Sequence, residues 1–188
     1  MPERSEPVVR PATSADHDTV LATVLAAFDR DPGFRLFFAD PATFADDARA
    51  FVAAVLGPRL ASGGVWVVDD GEAVAMWERP GASGGGVRDA VRPEVHRRLQ
   101  RWETAAHAFI PSGPHWYLGI LATHPARAGE GLGRLVATPG LAAARADGLR
   151  CWLETASAAN VAMYERRGWT VAGATDVDGV TCTVLSTG

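Results

Sequence analysis

His124-Pro125-Ala126-Arg127-Ala128-Gly129-Glu130-Gly131-Leu132-Gly133-Arg134-Leu135 is the stretch that decides the reading of this 188-residue chain. An apolar, strand-length run at 116–123 enters it, and a helical pattern at 132–146 leaves it. Three glycines alternate at 129, 131 and 133. Glycine lets the backbone turn sharply and lets a phosphate approach main-chain amides closely. The helix that follows aims unpaired N–H groups and a partial positive charge at the same spot. Three readings compete. One is a glycine-rich turn with no ligand. A second is a dinucleotide loop, which needs Gly-x-Gly-x-x-Gly near the first strand of a βαβ unit. The spacing here is Gly-x-Gly-x-Gly, two-thirds along the chain, which disfavours it. The third is the pyrophosphate loop of a coenzyme A enzyme.

Outward from the loop, the pattern predicts alternating elements. Downstream, the helix at 132–146 ends near Gly148, with Pro139 expected to kink it. A strand at 151–155, a short helix at 158–167 closed by Gly168, and strands at 169–174 and 180–185 follow, the last two joined near Asp178-Gly179. Upstream, 8–11 reads as a strand, and Thr13 or Ser14 can cap a helix carrying Val20, Leu21, Val24, Leu25 and Phe28 on one face. Asp31-Pro32-Gly33 stops that helix. A second helix is expected at 42–60. Two β-rich runs, 65–68 and 73–77, flank Asp69-Asp70-Gly71-Glu72 as a hairpin. Residues 81–86 read as a flexible joint, and 87–107 as a helical stretch that Pro93 starts anew or kinks. Strands alternate with helices in the middle and pair as hairpins elsewhere, so the fold class is α/β (α+β) with a mixed sheet. The length predicts one domain over 1–188.

Composition excludes several chemistries. All 18 basic residues are arginine, so the chain holds no lysine. Schiff-base catalysis, a pyridoxal-phosphate anchor and a Walker A loop all need one. A net charge of −4 argues against broad nucleic-acid binding. The apolar stretch at 20–28 is too short to span a bilayer, so no membrane partner is expected. The first residues contain no apolar signal-peptide segment, and Cys151 and Cys182 make no disulfide framework. A cytoplasmic protein with two free thiols is the expectation. His17, His96, His107, His115 and His124 show no metal-ligand spacing, so no catalytic metal is expected. No feature of the sequence favours a monomer over a homodimer.

Beyond the loop come Leu153-Glu154-Thr155, Asn160-Val161 and Tyr164-Glu165-Arg166-Arg167-Gly168-Trp169. With the loop, this ordered set over 116–174 resembles the GNAT superfamily of acetyl-CoA-dependent N-acetyltransferases. The superfamily pattern runs strand, Pro-x-x-(Gln/Arg)-Gly-x-Gly-x-Gly, helix, strand, Asn, Tyr, then Gly-(Phe/Trp). Residues 64–75, 26–28 with Asp31-Pro32, Pro139-Gly140 and 153–156 resemble an antibiotic-acetylating branch of it, so the similarity covers nearly the whole chain. Residues 81–114 match least. One departure is that Ala128 stands where Gln or Arg is usual, with Arg127 one place earlier.

The resemblance implies a mostly antiparallel central sheet, splayed in the middle and flanked by helices. It implies acetyl-CoA as the cofactor. Leu121, Ala122 and Thr123 would pair with the pantetheine arm. Ala128, Gly129, Glu130, Gly131, Leu132, Gly133 and Arg134 would hold the pyrophosphate, chiefly through main-chain N–H groups. Any side chain at the outer phosphate must be an arginine, with Arg127 and Arg134 nearest. Tyr164 matches the residue that protonates the departing thiolate, and packing on the sheet is its plain alternative. Asn160, one helical turn earlier, would orient the cofactor or merely cap a helix. Glu154 is the first candidate for the base that frees the attacking amine, against a structural carboxylate within the sheet; Asp31 and His115 are weaker ones. Phe28, Phe34, Phe37, Phe38 and Trp77 are candidates to line an acceptor pocket, with most of them expected to be core. The function implied is acetyl transfer to a primary amine of a small molecule. The alternatives are a protein N-terminal or lysine acetyltransferase, and a non-catalytic acyl-CoA-binding module.

Overall fold

The computed structural model describes residues 6–82 and 86–188. Among these residues, strand-period runs form β1 (Val9–Pro11), β2 (Val65–Val68), β3 (Ala73–Glu78), β4 (Trp116–Thr123), β5 (Cys151–Thr155), β6 (Trp169–Val177) and β7 (Val180–Thr187). The helices are α1 (His17–Phe28), α2 (Pro32–Phe37), α3 (Phe44–Ala61), α4 (Val87–Ala90), α5 (Pro93–His107), α6 (Leu132–Ala146) and α7 (Ala158–Glu165). The strands make one sheet in the order β1-β2-β3-β4-β5-β7-β6. Every neighbouring pair is antiparallel except β4 with β5.

That parallel pair is short. Only Trp116 with Cys151 and Tyr117 with Trp152 are in register, after which the two strands part. The expected mid-sheet splay is therefore present, and one edge of β4 beyond Tyr117 has no strand partner. The other edge stays paired to β3 as far as Thr123. In that pairing Trp77 opposes Leu118 and Met76 opposes Ile120, so Gly119 is an extra residue, a β-bulge.

The bulge sets which side chains face which layer. Trp116, Leu118 and Leu121 join one core cluster with Ala73, Ala75 and Trp77 of β3; Tyr117, Ile120 and Ala122 join the other with Val74 and Met76. α6 packs on β2, β3 and β4, and α7 on β5, β6 and β7. Their buried residues, including Leu132, Val136 and Tyr164, belong to the first cluster. α1, α2, α3 and α5 supply the second with Val20, Phe34, Val52 and Trp102. The result is a three-layer arrangement with the splay opening between the layers.

Several expectations are refined. The run at 87–107 is two helices, with Pro93 at the first position of α5, where its missing N–H costs nothing. Asp31-Pro32-Gly33 does more than stop α1. The Asp31 carboxylate accepts N–H bonds from Gly33 and Phe34, which starts the six-residue helix α2. α6 continues through Pro139 with the expected bounds. β6 and β7 run longer than the sequence pattern suggests. Of the expected joint at 81–86, residues 83–85 lie outside the described residues.

Candidate functional site

The glycine loop begins as a 3₁₀ turn over Pro125–Arg127 and ends at Gly131, which caps α6. Gly129 and Gly131 have φ of 84° and 81°, the left-handed region that favours glycine. Gly133 lies close against β4, where a Cβ would make a tight 3.3 Å contact with Thr123 Oγ1. The Ala128 N–H donates to the Pro125 carbonyl and that of Glu130 to the Arg127 carbonyl. This corrects the expectation for both positions, because those two amides are turned inward by the 3₁₀ geometry. Among the described residues, the amides of Gly129, Gly131, Leu132 and Gly133 have no internal acceptor. Four such donors at the positive end of a 15-residue helix make an anion cradle.

The side chain of Arg127 is committed elsewhere. It is 9% exposed and pairs with Glu72 beside β3 and with Glu130 at 2.8 Å. It staples the loop to the β2–β3 hairpin, so it does not reach the cradle, contrary to expectation. Arg134 lines a cleft of about 620 Å³ together with Gly131, Leu118, Leu121, Tyr164, Arg166 and Arg167. Arg166 and Arg167 escaped the sequence reading as cleft residues, although both sit in the quoted Tyr164 segment. The cradle amides, this cleft and its arginines fit the phosphates and arm of a coenzyme A thioester.

On the other side of the splay lies a smaller cavity of about 110 Å³. Leu121, Glu154, Asn160, Tyr164, Asp31, Phe28 and Phe34 all line it, so the structure brings together most of the residues singled out from sequence. Phe37, Phe51 and Trp102 line it too. The sequence marks Trp102 only as an apolar position of α5; nothing local ties it to Glu154. Leu118, Leu121 and Tyr164 border both the cleft and the cavity.

Glu154 extends from β5 into the splay. Its Oε1 accepts a 3.4 Å bond from the Trp102 indole N–H, and its Oε2 is shielded from water with no partner. Burial penalises the charged form and pushes the carboxyl up to about 7. Asp31 is shifted upward for the same reason, opposed by its two N–H bonds from Phe34 and Gly33. Tyr164 is 8% exposed and stacks edge-on against Trp169 at 5.6 Å. Burial raises its phenol above the ordinary value, so it is neutral at physiological pH. Asn160 is not the cap of α7. Ser157 is, accepting the Asn160 N–H, while Asn160 Nδ2 donates to Thr155 Oγ1 at 3.4 Å.

Two expectations, Trp77 in the acceptor pocket and His115 as a candidate base, are corrected. Trp77 is fully buried on the α6 side of the sheet, packed edge-on against Trp116, because β3 alternates and its odd residues face that layer. His115 sits before β4 with Nδ1 on the Gly113 carbonyl, outside both cavities. Phe38, 1% exposed, is core.

A family model for the acetyltransferase (GNAT) family matches residues 29–169. A Corynebacterium glutamicum structure described as histone acetyltransferase HPA2 and related acetyltransferase is 27% identical. It has a TM-score of 0.73, covering 97% of this chain and 96% of that one. The C-terminal condensation domain of Ebony, in complex with beta-alanyl-dopamine, is 10% identical at a TM-score of 0.79, covering 97% and 98%. An agmatine N-acetyltransferase is 16% identical at 0.62, covering 96% and 98%. The last two likenesses are of fold alone.

Proposed function

The chain belongs to the GNAT acetyltransferase family, and from that premise we propose that it moves the acetyl group of acetyl-CoA to a primary amine of a small molecule by direct attack. The observation that carries this is the meeting of two cavities across the splay, with Leu118, Leu121 and Tyr164 common to both. One side offers phosphate-binding amides and arginines. The other offers a small chamber lined by aromatic side chains and two carboxylates. The thioester supplies an activated acyl carbon. Glu154, with its carboxyl near neutrality, accepts the proton that leaves the ammonium. The neutral amine then bonds to the carbonyl carbon, the C–S bond breaks, and the sulfur departs as thiolate. Tyr164 donates its hydroxyl hydrogen to that sulfur, and the second proton shed by the acetylated nitrogen restores the phenol. A phenol near 10 and a thiol near 8.5 make full transfer uphill in water, but the same dry cleft raises the thiolate's basicity too.

Arg134 and the loop amides hold the diphosphate in this reading, while Leu121, Ala122 and Thr123 offer a free strand edge to the pantetheine arm. Asn160 orients that arm. The chain is read as a single domain, and the two unpaired, buried thiols at Cys151 and Cys182 support a reducing compartment, the cytoplasm. Segments 64–75, 26–28 and 153–156 resemble puromycin N-acetyltransferase, so antibiotic aminonucleosides belong among the acceptors tried. A second reading, transfer to a protein lysine, is favoured by the name of the C. glutamicum relative.

The test is thiol release from acetyl-CoA with a panel of amines, puromycin and a histone-tail peptide included. Release with a small amine supports the proposal; release with the peptide alone moves it to the second reading. No release above background with any acceptor overturns it. Tyr164→Phe should lower kcat by about 10- to 100-fold, while the dissociation constant for CoA, measured by calorimetry, stays unchanged. Arg134→Gln should raise the KM for acetyl-CoA more than Arg127→Gln does. Arg127→Gln should instead lower the melting temperature, because it removes the buried cation that ties the loop to Glu72 on the β2–β3 hairpin.

A further inference from the structure

The acceptor cavity sets five aromatic side chains and two carboxylates beside aliphatic residues, Thr155 and Asn160. Phe28, Phe34, Phe37, Phe51 and Trp102 give it aromatic faces and edges. Phe28 and Phe34 lie 4.5 Å apart, Phe34 meets Phe51 edge-on at 6.0 Å, and Phe37 meets Trp102 edge-on at 5.3 Å. Its ionisable side chains, besides Tyr164, are the carboxylates of Asp31 and Glu154; among the described residues no arginine lines it. Arg59 of α3, paired with Glu78 at 3.0 Å, stands behind the wall at Gly119, where a Cβ would lie 3.2 Å from its guanidinium. Asp31 uses Oδ1 for both cap bonds, which leaves Oδ2 available. Glu154 Oε2 is buried and unpartnered. A buried carboxylate oxygen without a donor is costly and asks for one.

Size narrows the class further. The chamber is about 110 Å³, and an engineered apolar cavity of about 150 Å³ binds one benzene ring, so one ring is the upper limit. Pockets that enclose drug-sized molecules run to about 300–1,000 Å³. The chamber therefore admits one ring or its equivalent. A larger acceptor enters only by such an arm.

We propose that the acceptor is an arylalkyl primary amine: one aromatic ring, held by the phenylalanine and tryptophan walls, with an ammonium on a short arm facing Glu154 and Asp31. This rests on the acetyl-transfer reading of the same site and names its substrate class. The ring meets the edges and faces that aromatic pairs prefer. The ammonium supplies a donor to Glu154 Oε2, which lacks one, and can reach Asp31 Oδ2, which the cap leaves open. With both carboxylates taken by that one ammonium, a guanidino-amine or polyamine would press its second cation against aromatic walls and toward Arg59 behind Gly119.

The experiment compares 2-phenylethylamine, n-hexylamine, agmatine and an α-blocked lysine peptide by thiol release, with calorimetry of 2-phenylethylamine binding to the protein alone. The expected result is a kcat/KM for 2-phenylethylamine about tenfold or more above that for agmatine and for the peptide. Phe37→Leu should then reduce the ratio of 2-phenylethylamine to n-hexylamine about fivefold. Turnover in which agmatine or the peptide equals or exceeds 2-phenylethylamine overturns the assignment and leaves acetyl transfer standing. No thiol release with any amine, with 2-phenylethylamine still bound and weakened by Phe37→Leu, supports the aromatic site and overturns acetyl transfer. No binding and no turnover of 2-phenylethylamine overturns the assignment.

Discussion

Glu154→Gln is expected to lower kcat/KM for the amine by about 10²- to 10⁴-fold and to remove the limb of the pH–rate profile near 7. The amide keeps the shape and can still meet the Trp102 indole through its oxygen, but it accepts no proton. A carboxyl held at about 7 is half ionised near neutrality, so activity should rise with pH through that value in the parent and show no such rise in the variant. Stability carries the same signature with its own sign. Burial favours the protonated form in the folded state, so that preference is present in full below the ordinary value of 4.5. It is lost as pH rises past about 7. The parent therefore loses stability across that window and the glutamine variant does not. By the linkage of one pKa step to free energy the difference at pH 8 has a ceiling of roughly 3 kcal/mol. Urea melts of both proteins at pH 5 and pH 8 measure it. A variant with parental turnover and an intact limb near 7 would remove Glu154 as the base.

Gly140→Ala should cost about 3 kcal/mol of folding free energy or more. A Cβ at 140 would lie 2.3 Å from both Cε2 and Nε1 of Trp77. That ring has no exposed surface and is flanked by Trp116 at 6.2 Å, so it has nowhere to turn. Either α6 lifts from β3 or the indole leaves its rotamer, and both outcomes open gaps in a close-packed layer. Because α6 carries the anion cradle at its other end, the lift should also weaken acetyl-CoA binding. Chemical denaturation of Gly140→Ala gives the first number. Combining it with Trp77→Phe, which removes the atoms in the way, should recover part of the loss as a favourable coupling. A single variant within about 1 kcal/mol of the parent would refute the packing argument.

Much of this was readable beforehand because the decisive features are local. The glycine loop, the helix after it and the strand before it are contiguous, and so are Glu154, Asn160 and Tyr164. Period and punctuation suffice to place such elements. The failures come from what is not local. Trp77 and Phe34 are both large aromatics in apolar runs, yet one faces α6 and the other the chamber, because Trp77 is an odd residue of β3 while α2 carries Phe34 against the opposite face of the sheet. Arg127 looks like a phosphate ligand from its neighbours in sequence; Glu72, which captures it, is 55 positions away. Trp102 joins Glu154 across 52 positions. The end of α1 was visible in Asp31-Pro32-Gly33, but the start of α2 was not, because one carboxylate serves both purposes. In Trp116–Thr123 the even residues alone look like one apolar face; the glycine at 119 was the sign that they are not.

That glycine is one residue more than the ladder requires. Remove it on paper and β3 keeps every partner it has on β4, while Leu118, Ile120, Leu121 and Ala122 keep their facings. Construction could spare the residue. What would go is a single peptide unit outside the ladder, at the one height along β4 where coenzyme cleft and acceptor chamber adjoin. On the proposed reading, the shortened strand would keep its ladder and lose the one peptide unit that stands where the two cavities meet.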